Sequence, residues 1–241
     1  MSHALTADDT QQAARRRQAM AAGVFYAANI ATILAAIWLM RGIVAPRDPA
    51  MSAANVLAHA PRLRAGLGLE LASTACSIAV AALLYRLFKP VNASVSAIAA
   101  FFRLAACAVA VTGYVLQFAP LEILADGRGT AGLDAAQLAA VTLVLFRLHG
   151  LASNIVVLLF GCHFMALGYL VFRSGFLPRA LGVLASAAGV GALIVLSPVL
   201  AATLFRYFAG LGLVTELSLT LSLLVIGLRD RSAGRSSHTL I

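Results

Sequence analysis

The sequence predicts an all-α protein, a polytopic membrane helix bundle with six transmembrane helices. Its 241 residues are 61% hydrophobic and only 11% charged, and their mean hydropathy is +0.93. A soluble domain of this length would carry about 25% charged residues, so lipid must solvate most of the chain. The sequence also contains six apolar stretches that, at about 1.5 Å per residue, are long enough to cross a hydrocarbon layer of about 30 Å.

The predicted spans cover residues 19–40, 65–87, 91–118, 151–172, 179–200 and 205–228. The first follows three consecutive arginines and is too long for the apolar core of a signal peptide, which predicts an uncleaved helix. The polar segments 1–14 and 230–241 predict disordered tails on either side of a transmembrane domain over residues 15–229. In the first outer loop, Asp48 and Pro49 are typical of an N-cap and a first helical position, which predicts a short surface helix ending at Pro61.

The connection over residues 119–150 is the longest one between the predicted spans. Asp134 and Gln137 form an acidic version of the capping box and predict that a helix opens directly after Asp134. Continued to Phe172, this helix would be about 57 Å long, which exceeds the thickness of a bilayer. We therefore expect a break near His149 and Gly150, with an interfacial or re-entrant helix before the fourth span.

The distribution of basic residues predicts the topology. Of the 18 lysines and arginines, all except Arg103 lie in the tails or near span ends, where they anchor helices and set orientation. Placing the N-terminus inside puts ten of them on the inner side and seven on the outer side. We therefore expect a multi-pass protein of the inner (plasma) membrane with both termini cytoplasmic. The formal net charge of +9 does not indicate nucleic-acid binding, because the basic residues form no continuous face with aromatic platforms.

The sequence does not predict a cofactor, a metal or a catalytic residue. Cys76, Cys107 and Cys162 lie in apolar segments without the short spacing of metal or disulfide motifs, which favours buried apolar side chains. His149 and His163 would be about 21 Å apart along one helix, too far to ligate one haem iron. The motifs of zinc proteases, serine hydrolases, phosphate loops and dinucleotide folds are missing. Whether the chain is an enzyme stays open, with the balance against it.

Few ionisable or amide side chains fall inside the predicted spans, and these form the candidate intramembrane polar site. A charge at the centre of a lipid-facing helix costs about 2.5 to 3.5 kcal/mol on insertion scales, so such groups usually face inward and are paired. The simplest arrangement pairs Arg103 with Glu216. Glu70 or His163 would be second neighbours, and Asn29 lies near the middle of the first span. The pair either fixes helix packing or lines a polar pocket that opens to one face, and the remaining alternative is an isolated, unpaired charge.

The best-marked stretch is a hairpin between the fourth and fifth spans, and it carries a family resemblance. Its signature residues are His163, Gly168-Tyr169-Leu170, Phe172-Arg173-Ser174-Gly175-Phe176-Leu177-Pro178-Arg179 and Leu181-Gly182. The turn Lys89-Pro90-Val91-Asn92, the stretch Ala100-Phe101-Phe102-Arg103-Leu104 and the helix of Glu216 add to it. Over about residues 16–229 the chain resembles an uncharacterised prokaryotic membrane family, domain of unknown function 4386. The resemblance implies a six-helix integral membrane protein and implies no activity, cofactor or catalytic residue.

Three classes of function are compatible with these features. The leading hypothesis is binding or transport of a small or lipid-like molecule through an internal polar pocket. One alternative is a membrane enzyme that uses His163 or Glu216 as a general base on a lipid substrate. Another is a non-catalytic scaffold or regulatory partner that makes contacts through residues 119–150. The expected partners are the lipid bilayer and a small-molecule or lipid ligand, with no nucleic acid, and the oligomeric state is not indicated.

Overall fold

The computed structural model describes residues 7–126 and 132–228, and within these ranges all regular secondary structure is helical. The elements are α1 (Ala7–Leu39), α2 (Pro49–Ala58), α3 (Ala60–Phe88), α4 (Ala93–Asp126), α5 (Ala135–Ser174), α6 (Arg179–Gly191), a 3₁₀ segment (Ala192–Leu196) and α7 (Pro198–Leu228). Six stretches are long and apolar enough to cross a membrane, namely α1, α3, α4, α5, α6 with its 3₁₀ extension, and α7. The predicted all-α polytopic bundle is therefore confirmed.

Large apolar side chains on the outside of these helices show what surrounds them. Trp38 and Phe101 are each 70% exposed, and Val199 is 74% exposed. In water, exposed apolar surface on this scale would drive association, because each buried Å² is worth about 25 cal/mol. In a bilayer the same side chains contact lipid tails. The exposed apolar surface therefore agrees with an integral membrane protein.

The short helix α2 forms where its N-cap predicts it. The Asp48 Oδ1 accepts a hydrogen bond from the backbone N–H of Met51 at 2.9 Å, which satisfies a donor that the first helical turn leaves unpaired. However, Pro61 does not end a helix as predicted, because α3 already begins at Ala60. Proline is tolerated in a first turn, where its missing N–H would have had no partner.

The predicted break before the fourth span is wrong. Helix α5 is continuous over 40 residues, and among the described residues no separate interfacial or re-entrant helix lies between α4 and α5. Gly150 costs about 1 kcal/mol relative to alanine but keeps its backbone hydrogen-bonding groups, so it weakens a helix without ending it. At 1.5 Å per residue α5 is about 60 Å long, so part of it must extend beyond the hydrocarbon layer.

Other boundaries also differ from the sequence prediction. Residues 7–14, expected in a disordered tail, belong to α1, because this segment is rich in alanine and glutamine and continues directly into the apolar span. Helix α4 continues to Asp126, past the predicted end of the third span at residue 118. The last helix begins at Pro198 rather than near residue 205, directly after Ser197, whose hydroxyl oxygen accepts a hydrogen bond from Leu200 N–H at 3.5 Å. The predicted tail at 230–241 lies outside the described residues.

The chain divides into two compact units, each assembled from parts of several helices. The first unit comprises Met1–Ala28, Cys76–Leu104 and Phe160–Ile241, and the second comprises Asn29–Ala75 and Ala105–Leu159. The apolar core of the second unit includes Ile43, Val56, Leu63, Leu121 and Phe146. Arg103, His163 and Glu216 belong to the first unit, whereas Asn29 and Glu70 belong to the second.

Glycines bring α5 and α6 into direct backbone contact within the first unit. A Cβ added at Gly182 would lie 2.7 Å from the carbonyl oxygen of Gly168 and 2.8 Å from the backbone nitrogen of Phe172. A Cβ at Gly189 would similarly lie 2.6 Å from the carbonyl oxygen of Gly161. Small residues in membrane helices permit such close approach. The resulting van der Waals contacts hold the helices together, since lipid tails are as apolar as the side chains and supply no hydrophobic driving force. The two helices are therefore packed without space for side chains at these positions.

Candidate intramembrane site

Arg103 on α4 is completely buried in the first unit. Its Nε donates hydrogen bonds to the Ser77 Oγ at 2.9 Å and to the Ser77 carbonyl oxygen at 3.2 Å. Its Nη1 donates to the Tyr26 hydroxyl at 2.9 Å. One guanidinium thus connects α4 to both α1 and α3. Its planar fork presents several donors in fixed directions, which suits it to this position.

His163 of α5 contacts the same guanidinium nitrogen. The Arg103 Nη1 lies 3.3 Å from the His163 Nε2. A guanidinium only donates hydrogen bonds, so Nε2 must accept and cannot carry a proton. The other ring nitrogen, Nδ1, therefore carries the proton and donates a hydrogen bond to the Ala99 carbonyl oxygen at 2.8 Å. These two contacts assign His163 as a neutral imidazole with a defined tautomer.

Two aromatic rings also contact the guanidinium. The Arg103 Cζ lies 4.7 Å from the centroid of the Tyr26 ring and 5.1 Å from that of Phe160. A cation over an aromatic face gains about 2 kcal/mol or more when water is excluded. Tyr26 and Phe160 thus stabilise the charge of Arg103 where the bilayer would otherwise disfavour it.

Glu216 on α7 completes this group of residues. Its carboxyl group faces the Tyr26 hydroxyl and interacts electrostatically with Arg103. We call the group the Arg103 cluster, and its members are Tyr26, Ser77, Arg103, Phe160, His163 and Glu216.

One donor of the cluster is unused. Among the described residues, none forms a hydrogen bond with the Arg103 Nη2, although this atom is buried. A buried donor without a partner costs about 1 to 3 kcal/mol, and more when it is charged. Two small pockets border the cluster. Neither has room for a ligand, because the free volume is about 0 Å³ in the pocket lined by Tyr26 and about 10 Å³ in the pocket lined by His163. We refer to this conformation of the cluster as closed.

The other two predicted site residues make different contacts, all within the second unit. The Asn29 Nδ2 donates to the carbonyl oxygen and to the Oγ of Ser73, both at 2.8 Å. The Glu70 Oε2 accepts from the Gln117 Nε2 at 3.5 Å, and the same nitrogen lies 2.9 Å from the Met40 Sδ. The hydrogen bonds of Asn29 and Glu70 are thus made with Ser73 and Gln117 and not with the Arg103 cluster.

Three members of the cluster were not singled out by the sequence. Tyr26, Ser77 and Phe160 are residue types that commonly lie in membrane helices without any role in a site. One signal for Tyr26 and Ser77 was present in the sequence. Each is a residue with a hydroxyl group inside an apolar span, in a bundle that also has to bury an arginine. Their depth relative to Arg103 depends on how the helices pack.

Candidate metal ligands do not converge in the described part of the chain. No group of three or more His, Cys, Asp or Glu side chains there is placed to hold a metal ion. Cys76, Cys107 and Cys162 are free thiols. The chemistry that the Arg103 cluster offers is instead the donation of hydrogen bonds from a desolvated cation.

Comparison with known proteins gives one match. The model of the family described as domain of unknown function (DUF4386) matches residues 21–227. The chain belongs to the DUF4386 family. No curated protein and no solved structure matches it. The matched range contains every member of the Arg103 cluster, so the cluster lies within the domain that defines this DUF4386 protein.

Proposed function

We propose that this DUF4386 protein binds and transports a small or lipid-like molecule that carries an anionic oxygen group, using the Arg103 cluster as its binding site. The observation that carries the proposal is the buried Arg103 Nη2, which has no partner among the described residues. Carboxylates and phosphates accept paired hydrogen bonds from a guanidinium better than other groups do. Ionisable residues inside membrane spans commonly mark substrate pathways.

In this proposal, Glu216 allows a bound anion to replace a carboxylate of the protein next to Arg103. In the closed cluster the Glu216 carboxyl group interacts electrostatically with Arg103. An arriving anion would compete with Glu216 for the guanidinium, and the low dielectric of the site strengthens both interactions. Binding would therefore weaken the link between α7 and α4, which couples occupancy of the site to helix position.

Access to the site requires a change of conformation. The pockets beside Tyr26 and His163 are too small for a ligand, so the helices of the first unit must separate when the molecule enters or leaves. The 3₁₀ segment Ala192–Leu196 between α6 and α7 supports a hinge here, since 3₁₀ segments commonly occur at hinges and interrupted helices are frequent in transporters. The closed Arg103 cluster would then be one of the two states of the binding site.

A thermal-shift comparison tests this function. The purified protein in neutral detergent is heated with acetate or succinate. At least one probe should stabilise the wild type, by about 2.7 kcal/mol when its concentration is 100 times its Kd. Arg103→Lys keeps the charge but loses the fork, so the shift should disappear in that variant.

Arg179→Lys is the matched control, because Arg179 lies outside the cluster and stacks over the Phe172 ring at 5.7 Å. The control should respond to the probes as the wild type does. An equal shift in Arg103→Lys, or no stabilisation of the wild type by any probe, would contradict the proposed function.

We also propose that the protein resides in the plasma membrane with both termini in the cytoplasm. The excess of basic residues on the side of Arg15, Arg16, Arg17, Arg173 and Arg179 supports this orientation, because cytoplasmic segments are enriched in lysine and arginine. A C-terminal green fluorescent protein fusion should fluoresce in cells, and a C-terminal alkaline phosphatase fusion should be inactive. Strong phosphatase activity would reverse the assigned orientation.

A further inference from the structure

A further pocket in the first unit lies at the turns between the helices and not at the Arg103 cluster. Its volume is about 350 Å³, which is within the usual range of ligand sites. Arg15 of α1, Leu87 of α3, and Pro90 and Val91 of the α3–α4 turn line one part of it. The end of α5 and the α5–α6 turn line the rest, with Arg173, Ser174 and Phe176. We call it the turn pocket.

The turn pocket is cationic. Arg15 and Arg173 are both exposed, and no acidic side chain is among the described residues that line the pocket. The Arg15 Cζ lies 5.5 Å from the centroid of the Phe176 ring. Stacking of this kind holds a guanidinium in place while its N–H groups in the ring plane stay available. The two arginines therefore offer donors to an anion without first breaking an ion pair in the described part of the chain.

The remaining wall of the turn pocket is apolar and fixed. Phe176 stacks on Phe88 with ring centroids 5.5 Å apart. Gly175 has a φ of +71°, a conformation that residues with a Cβ rarely adopt, and it reverses the chain directly before Phe176. Leu87 and Val91 add aliphatic surface. A cationic group beside a rigid apolar wall suits a ligand that has both a charged and a hydrocarbon part.

We propose that the turn pocket binds a phosphate group, supplied either by the headgroup of an anionic phospholipid or by a soluble phosphate compound. Guanidinium groups recognise phosphate with paired, charge-assisted hydrogen bonds, and basic pockets between membrane helices bind anionic headgroups. Ordinary interfacial anchoring would make every arginine of this turn equivalent. Arg179 lies at the same turn, as the first residue of α6, but it is not among the pocket-lining residues. Replacing it therefore distinguishes phosphate binding in the pocket from ordinary interfacial anchoring.

The test compares two double variants with the same loss of charge. Arg15→Gln with Arg173→Gln removes both pocket cations, whereas Arg17→Gln with Arg179→Gln removes two neighbouring arginines outside the pocket. Binding of phosphatidylglycerol to the protein in phosphatidylcholine nanodiscs is measured by native mass spectrometry. We expect the pocket variant to lose about tenfold or more in affinity, because a bidentate phosphate contact is lost. The control variant should change about twofold or less, as expected for screened surface charges.

A second probe distinguishes the two sources of phosphate. Inorganic phosphate is added to the protein in phosphatidylcholine nanodiscs without anionic lipid, and the change in Tm is recorded. Loss of phosphatidylglycerol binding in the pocket variant assigns the site to a lipid headgroup. A phosphate-dependent Tm shift that only the pocket variant loses assigns it to a soluble compound. If the pocket and control variants behave alike with both probes, the turn pocket is not a phosphate site.

Further single variants keep the test decisive. If the double pocket variant does not fold, Arg15→Gln and Arg17→Gln make the same comparison with one charge each. Arg173→Lys should recover part of the affinity that Arg173→Gln loses, because lysine binds phosphate as a point charge.

Discussion

Replacing Arg103 with leucine is expected to lower the free energy of unfolding by about 3 to 5 kcal/mol, the usual cost of removing one partner from a buried charge pair. The Tyr26 hydroxyl and the His163 Nε2 would lose their hydrogen-bond donor. Glu216, which is partly buried, would lose the cation with which it interacts. Thermal unfolding in detergent and the amount of protein recovered from membranes measure the effect.

A double-mutant cycle separates the charge pair from simple packing. Glu216→Gln removes the negative charge and keeps a hydrogen-bonding side chain, so the Arg103→Leu, Glu216→Gln double variant should be more stable than the sum of the single changes predicts. Residues in one polar network usually show coupling of about 0.5 to 3 kcal/mol. Arg206→Leu is the control, because Arg206 is exposed and contacts the Tyr207 hydroxyl at 2.9 Å. Unchanged stability and expression of Arg103→Leu would mean that this residue does not hold the helices together.

Gly182→Ala is expected to destabilise the protein by about 1 to 3 kcal/mol or more, as overpacking of tight contacts does. The added Cβ would meet backbone atoms of Gly168 and Phe172 at 2.7 to 3.0 Å. Backbone atoms cannot move aside as the end of a flexible side chain can, so α5 and α6 would have to separate. The midpoint of unfolding by a denaturing detergent measures the loss.

Gly150→Ala is the matched control for Gly182→Ala, and it also tests the continuity of α5. Nothing lies within 4 Å of a Cβ at Gly150, so alanine should be accepted there and should raise stability by up to about 1 kcal/mol as a better helix former. If Gly182→Ala is as stable as Gly150→Ala, α5 and α6 are not in backbone contact. A loss of stability in Gly150→Ala would indicate an interruption of α5.

Those parts of the fold that depend on local chemistry were predictable from the sequence. The number of spans follows from the length and spacing of apolar stretches, and α2 follows from Asp48, which caps the helix with its own side chain. The break in α5 was inferred from the thickness of a bilayer, which limits the hydrocarbon crossing but not the length of a helix that continues past it. Gly150 was compatible with both outcomes, because one glycine weakens a helix without ending it.

The candidate site was predictable only in its ionisable members Arg103, His163 and Glu216. Arg103 and Glu216 stand out because charges are rare and costly in membrane spans. Tyr26, Ser77 and Phe160 do not stand out, since their contacts with Arg103 depend on the rotation and depth of three different helices. Glu70 and Asn29 are equally polar, but their hydrogen-bond partners are Gln117 and Ser73. Composition alone does not distinguish these pairings.

The shared guanidinium of Arg103 also limits how this sequence can evolve. A single substitution at Tyr26, His163 or Glu216 would leave a polar atom of the cluster unpaired, which would lower the stability of the protein. Only a second substitution at a contacting position could restore that stability. We therefore expect these positions to be inherited together among homologues, with replacements occurring in matched sets. Homologues that have lost Arg103 should also have exchanged Glu216 for a neutral residue, and they would form a group with a different ligand.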